Sequence, residues 1–173
     1  LTLSLIIFLC SSICFAETVS MDDLVFREPQ YYKKFSDEPF TGTVEDKLIK
    51  GSFYLGYKAG KWIEYHSNGQ LKSRQSYYEY LGIEDGDWHE YYNTGQIKEK
   101  KTFKVGKKDG EWREYYSNGQ LKEIQSFNDG KRDGEFIDYR ENGKIQYIIN
   151  FKDDEQDGLT TVYDENGNLI RRA

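Results

Sequence analysis

The chain has 173 residues, room for one ordinary domain or one short repeat array. Aromatic residues make up 16% of it and tyrosine alone fills 15 positions, against two prolines and one methionine, which describes amphipathic rings on β-structure and excludes an aliphatic globular core. The formal net charge of −6, with acids and bases alternating along the chain, disfavours non-specific attraction to nucleic acid or to an anionic lipid surface.

Residues 1–16 carry no charge, are dominated by Leu, Ile and Phe, and hold both cysteines, Cys10 and Cys14. The stretch is shorter than the roughly 20 apolar residues a spanning helix needs, so no integral membrane span is expected in the mature chain. It matches the apolar segment of a secretory signal, with Cys14-Phe15-Ala16 placing small residues at the −3 and −1 sites of a cleavage after Ala16. A charged start is missing, and an uncleaved anchor is the competing reading. Neither cysteine has the flanking residues of a lipidation site. Cleavage implies an exported protein, periplasmic, at the cell surface or secreted, and without disulfides.

Residues 17–38 carry no repeat signature and include Pro29, with Pro39 just beyond. Proline and its predecessor favour extended or turn conformations, so this part is read as a linker and N-terminal cap. Residues 39–59 form a degenerate first unit, with strands expected over 40–44 and 49–54.

A regular array begins at Gly60 and restarts at Gly86, Gly110, Gly134 and Gly158. A fixed period of about 24 residues identifies a repeat architecture. Two residues after each opening glycine stand Trp62, Trp88, Trp112, Phe136 and Thr160, and five residues after it stand Tyr65, Tyr91, Tyr115, Tyr139 and Tyr163. The ninth place is Gly69, Gly95, Gly119, Gly143 and Gly167, the eleventh Leu71, Ile97, Leu121, Ile145 and Leu169, and the seventeenth Tyr77, Phe103, Phe127 and Phe151. The first copy is two residues longer than the others, an insertion before Gly86 that belongs in a turn.

Each unit reads as a hairpin. Asn-Gly recurs at Asn68-Gly69, Asn118-Gly119, Asn142-Gly143 and Asn166-Gly167 between β-favouring runs, the signal of a type I′ turn with both central residues at positive φ. Thr94-Gly95 breaks the pattern, and its β-branched residue predicts a turn of different type or greater mobility. The other connection, such as 128–134, reads as a longer Gly-rich turn. No helical period is present. The expected fold is therefore all-β, an elongated antiparallel meander of repeated β-hairpins advancing roughly 50 Å over five units. The odd spacing from Trp62 to Tyr65 puts aromatics on both faces, unless a bulge near the opening glycine brings them together.

The motif Gly-x-Trp-x-x-Tyr-Tyr-x-Asn-Gly-x-Leu-Lys, best seen from Gly110, followed by an aromatic residue and a Gly-Lys-x-Asp-Gly turn, resembles the bacterial MORN-repeat variant family over residues 39–173. The resemblance implies an array of β-hairpins without an enzyme active site. Many relatives carry an antitoxin label, and eukaryotic MORN repeats are associated with membranes and scaffolding. The export signal and Thr160 in the last copy depart from that picture.

Constellations of chemistry are sparse. His66 and His89 occupy different places in their repeats and have no cysteine partner for zinc. Ser67 is a turn serine with no base and orienting group. Residues 153–158 with Asp164 approximate a calcium loop, but two of the acids are of the wrong type and Asp157-Gly158 is the repeat's own turn. No cofactor is expected. The fixed aromatic positions are assigned to packing of the array. The sixth place, which changes from copy to copy as His66, Tyr92, Tyr116, Arg140 and Asp164, supplies the candidate binding residues. The functional expectation is a non-enzymatic, exported scaffold that binds another protein or an envelope component. The alternative is an antitoxin or immunity protein neutralising a toxin by direct binding.

Overall fold

The computed structural model describes residues 17–173. The expected signal segment, its cleavage near Ala16 and both cysteines lie outside the described residues.

Strands follow one another almost without interruption, and the one helical element among the described residues is a single 3-10 turn, Met21–Asp23. Strand β1 (Glu17–Val19) precedes that turn, and the hairpin of β2 (Leu24–Arg27) and β3 (Gln30–Lys33) follows it. The array then runs through β4 (Gly42–Glu45), β5 (Ile49–Tyr54), β6 (Tyr57–Tyr65), β7 (Leu71–Tyr77), β8 (Gly86–Tyr91) and β9 (Ile97–Lys104). It continues through β10 (Lys107–Lys108), β11 (Gly110–Tyr115), β12 (Leu121–Asn128), β13 (Lys131–Tyr139), β14 (Ile145–Lys152), β15 (Glu155–Gln156), β16 (Thr161–Tyr163) and β17 (Leu169–Arg172).

From β4 to β17 the strands pair in chain order and antiparallel, with β10 and β15 as short extensions on β9 and β14. This is the expected meander. Strand β1 departs from it by running parallel to β4, with Glu17 opposite Gly42 and Val19 opposite Val44.

The two kinds of connection exchange the roles expected of them. At the Asn-Gly positions only the glycine has positive φ, for example Gly69 at 84°, and its N–H donates to the His66 carbonyl while His66 N–H donates to Gln70. That is a three-residue loop, a type I turn closed by a left-handed glycine, and not a type I′ turn. Since the residue before the glycine keeps negative φ, Thr94 is not strained, and Tyr92 to Gln96 repeats the same bonds. The Thr94 turn therefore does not differ in type. The two-residue turns with both centres at positive φ sit at the opposite edge: Leu55-Gly56 (47° and 79°), Val105-Gly106 (48° and 75°), Asp129-Gly130 (50° and 93°) and Asp153-Asp154 (52° and 73°). The strand runs on through the Gly-rich segment to reach these tips, so the long turn expected there is mostly strand.

The glycine-closed hairpin of each regular repeat carries one bulge. Glu64 faces Ser73 but Tyr65 faces Leu71, leaving Lys72 as the extra residue, and Lys98 and Lys122 recur in the same role. The bulge lies on the returning strand, so Trp62 and Tyr65 keep opposite faces of β6. Both faces carry aromatics. One face holds the second and seventeenth places, the other the fifth and eleventh.

The core sits at the N-terminal end, where Leu24, Phe40, Val44, Phe53 and Trp62 are buried together against Val19, Met21, Tyr31, Ile49 and Tyr77. From it an aromatic ladder runs along one face, Tyr31 to Phe53 to Trp62, then Tyr77 to Trp88 to Phe103 to Trp112 to Phe127, with centroids 4.8–5.4 Å apart. Lys58 joins the two runs by lying over both Trp62 and Tyr77. Each aromatic contact is worth about 0.5–1.5 kcal/mol beyond the area it buries. Each indole also donates to the carbonyl of a neighbouring strand, Trp62 to Ser52, Trp88 to Ser76 and Trp112 to Thr102. Stability is thus passed from each unit to the next, as a linear array requires.

Candidate interaction surface

The variable sixth place is where sequence puts the candidate binding residues, and the structure gives His66, Tyr92, Tyr116 and Arg140 the same task. His66 Nε2 lies 2.9 Å from the Tyr91 carbonyl and Tyr92 donates its hydroxyl to Tyr115 O at 2.7 Å. Tyr116 donates to Tyr139 O at 2.8 Å, and Arg140 to Tyr163 O at 3.1 Å. Histidine, tyrosine and arginine differ in shape but each offers a donor at the end of a reach across one repeat. Asp164 has no repeat following it among the described residues. It accepts instead from the Asn168 side-chain amide and from the Asn168 and Asn166 backbone N–H groups, and those donors, the amide first, hold its carboxyl below the usual carboxylate range. A neighbouring ladder runs through the loop asparagines: Asn68 donates to Asn93 O, Asn118 to Glu141 O and Asn142 to Glu165 O. Thr94 lacks the amide and makes no such bond.

The same face carries a row of carboxylates that sequence reasoning passed over. Across adjacent strands Glu90 stands directly opposite Glu99, Glu99 opposite Glu114, Glu114 opposite Glu123, and Glu123 opposite Asp138. Glu64 and Ser73 begin the row and Tyr147 ends it. Like charges directly opposite on a sheet repel, and the bulges partly relieve this by aiming lysines back into the row. Lys72 meets Glu64 at 3.0 Å, Lys98 meets Glu90 at 3.4 Å and Lys122 meets Glu114 at 2.8 Å. Lys101 meets Glu99 at 2.5 Å.

Toward the C-terminus the compensation fails, because the fourth bulge residue is Gln146 and Asp138 has no ion pair among the described residues. Burial pushes the Asp138 carboxyl up, against the pull of Lys122 and Arg140. Burial also raises Glu123, helped by Glu114 and Asp138 and opposed by the Gln125 amide that donates to it. The signal was present in the sequence, since the fourth place is acidic in four copies. What was missing was the register that sets it against the thirteenth.

An open groove of about 520 Å³ lies at the N-terminal end of the row, lined by Glu64, His66, Lys72, Ser73, Glu90 and Lys98. Ser73 is buried there with an unbonded hydroxyl. Elsewhere the acids at 153–158 disperse. Asp153 pairs with Lys131 and Asp154 accepts from Arg132, while Glu155 and Gln156 form β15. No group of three metal-ligating side chains gathers among the described residues. His66 and His89 stay apart, on opposite faces of the sheet, with His89 beside Tyr91. No helix among the described residues is long and apolar enough to cross a membrane.

Fold and surface together define a linear β-hairpin repeat protein whose units are tied by donors at fixed places. Its sequence matches the MORN repeat variant over residues 58–79, 84–104, 108–129, 132–153 and 156–173, so the chain belongs to that family. No curated protein matches it. Among solved structures it is similar to a chain in the crystal structure of a GtfA/B complex bound to UDP and GlcNAc, at 14% identity and a TM-score of 0.21. The match covers 76% of this chain and 23% of that one, and at that score it supports no argument about fold or function.

Proposed function

We propose that this protein is a non-enzymatic scaffold that binds another protein through the face carrying the carboxylate row, and that it does so after export to the cell envelope. One observation carries the reading. Five consecutive carboxylates, Glu90, Glu99, Glu114, Glu123 and Asp138, oppose one another across strands at a cost to the free array, and a partner with complementary charge removes that cost. The fixed aromatics and the sixth-place donors are already engaged within the array, and Glu90, Glu99 and Glu114 have lysine partners, which leaves Glu123 and Asp138 as the row's carboxylates without an ion pair among the described residues. Export rests on the signal-like residues 1–16.

Immobilised protein is expected to retain a partner from envelope fractions, and a Glu114→Lys, Asp138→Lys variant that melts like the parent is expected to release it. Retention unaffected by charge reversal, or no retention at all, refutes the surface assignment. Intact mass of exported material checks the export step, since a mass including residues 1–16 contradicts cleavage. The antitoxin alternative, which rests on family resemblance, requires a toxic neighbouring gene rescued by co-expression.

A further inference from the structure

The residue two places before each opening glycine pairs with the aromatic that closes the previous unit. Lys58 faces Phe53, Glu84 faces Tyr77, Lys108 faces Phe103, Arg132 faces Phe127 and the neutral Gln156 faces Phe151. In three of these units that residue is a cation laid over the unit's own rings. Lys58 Nζ is 4.5 Å from the Trp62 centroid and 5.5 Å from Tyr77, and Lys108 Nζ is 4.5 Å from Trp112 and 4.7 Å from Phe127. The Arg132 guanidinium is 4.0 Å from Phe151. The fold therefore shows what belongs above these rings, a positive charge facing the negative π-surface.

The unit that opens at Gly86 inverts the charge. Its rings are in place, with Trp88 5.4 Å from Tyr77 and 5.1 Å from Phe103, but the covering position holds Glu84. A carboxylate is repelled by the ring face that attracts a cation. The cation nearest by register is Lys101, opposite Trp88, and it is taken by Glu99 at 2.5 Å and by the Trp112 ring at 5.3 Å. Among the described residues no cation lies over Trp88 or Phe103. Glu84 has no ion pair among them either, whereas its neighbours Asp85 and Asp87 are engaged by Val105 N–H and the Thr102 hydroxyl. On the same face, two residues beyond Trp88, Glu90 starts the uninterrupted run of carboxylates.

We infer that the Trp88–Phe103 rings and Glu84 form a receiving site for a lysine or arginine side chain of a partner protein. That side chain occupies the place that Lys58, Lys108 and Arg132 fill in their own units. Glu84 supplies the countercharge, and the carboxylate row from Glu90 to Asp138 guides the basic segment that bears it. The inference deepens the proposed scaffold reading by naming the partner's chemistry, and it rests on that reading only for the partner being a protein.

Tetramethylammonium chloride, titrated at constant ionic strength into ¹⁵N-labelled protein, probes the site alone. Each of the three indole N–H groups is bonded to a backbone carbonyl and reports its own ring. The Trp88 signal is expected to shift saturably in the range of tens of millimolar, typical of a single cation–π contact with a countercharge. Trp62 and Trp112, already covered, are expected to move little. Glu84→Lys restores the internal cation and is expected to abolish the shift without lowering Tm. Equal shifts at all three indoles, no shift at Trp88, or a shift that survives Glu84→Lys overturns the site. A lysine-containing extended peptide and phosphatidylcholine vesicles are then compared as occupants. Tighter binding of the peptide supports the inference, and a response to vesicles alone overturns the protein partner. A site that takes ammonium and peptide in a protein that retains nothing from envelope fractions refutes the scaffold reading while leaving the site standing.

Discussion

Replacing Val105 by asparagine is expected to stabilise the protein, although Val105 is apolar and its replacement polar. Val105 sits at φ 48° at the first centre of a two-residue tip, followed by Gly106 at 75°. A left-handed backbone costs an ordinary L-residue about 1–2 kcal/mol, and a β-branched side chain stands at the unfavourable end. The equivalent place holds Asp129 and Asp153, residues that tolerate this conformation, at 50° and 52°. Little is lost in exchange, since Val105 is 57% exposed and its backbone N–H keeps its bond to Asp85 whatever the side chain. The net gain is about 0.5–1.5 kcal/mol, roughly 2–4 °C in Tm per kcal/mol for a chain of this size. Val105→Gly relieves the same strain but adds about 0.5–1 kcal/mol of unfolded-state entropy, so it is expected to be close to neutral. Asp129→Val supplies the reverse test and should lose about 1 kcal/mol, since its exposed pair with Lys107 adds little. Urea denaturation followed by tryptophan fluorescence measures all three. A neutral or destabilising Val105→Asn, with a harmless Asp129→Val, refutes the assignment of strain to these tips.

Thr94→Asn is expected to stabilise by about 0.5–1 kcal/mol, by giving the one loop with no asparagine before its closing glycine both bonds made by Asn118, whose Oδ1 accepts from the Gln120 N–H and whose amide donates to the next loop; thermal denaturation that shows no gain contradicts the ladder's role. Gly51→Ala drives a Cβ into the Trp62 ring, which is buried and cannot withdraw, at a cost of about 2–3 kcal/mol. Combined with Trp62→Ala, the loss measured by denaturant titration should fall short of the sum of the two single losses. Tyr77 is pushed up from 10.0 to about 12, first by burial and then by Glu84 and Glu64. The folded state therefore holds the proton longer than the unfolded chain, so the protonated Tyr77 contributes fully below pH 10 and is lost as pH rises through about 12. Melting temperatures from pH 9 upward should fall more steeply for the parent than for Tyr77→Phe, and parallel curves would contradict the burial of that hydroxyl.

The sequence by itself determined the architecture. A glycine and a tyrosine at fixed spacing in five copies, with an aromatic between them in four, admit one kind of object, because each unit exposes rings that only a like neighbour covers. It determined which residues are fixed, and therefore that Trp62, Trp88 and Trp112 pack. Turn type was not legible, since Asn-Gly serves a type I′ turn and a glycine-closed type I turn equally well; pairing of His66 with Gln70 selects the second, and the Lys72 bulge then restores the missing residue so that Glu64 meets Ser73. The sixth place looked free because its residues differ, and only the reach from one repeat to the next carbonyl shows His66, Tyr92, Tyr116 and Arg140 to be chemically alike as donors. Carboxylates 9 to 15 residues apart meet only when strands are brought side by side. The exception at Glu84 has meaning for the same reason, because its place above two rings is defined by what Lys58, Lys108 and Arg132 do in three dimensions. Periodicity is a property of the chain, whereas opposition across strands is a property of register, and in this protein register decides which charges are satisfied and which remain open.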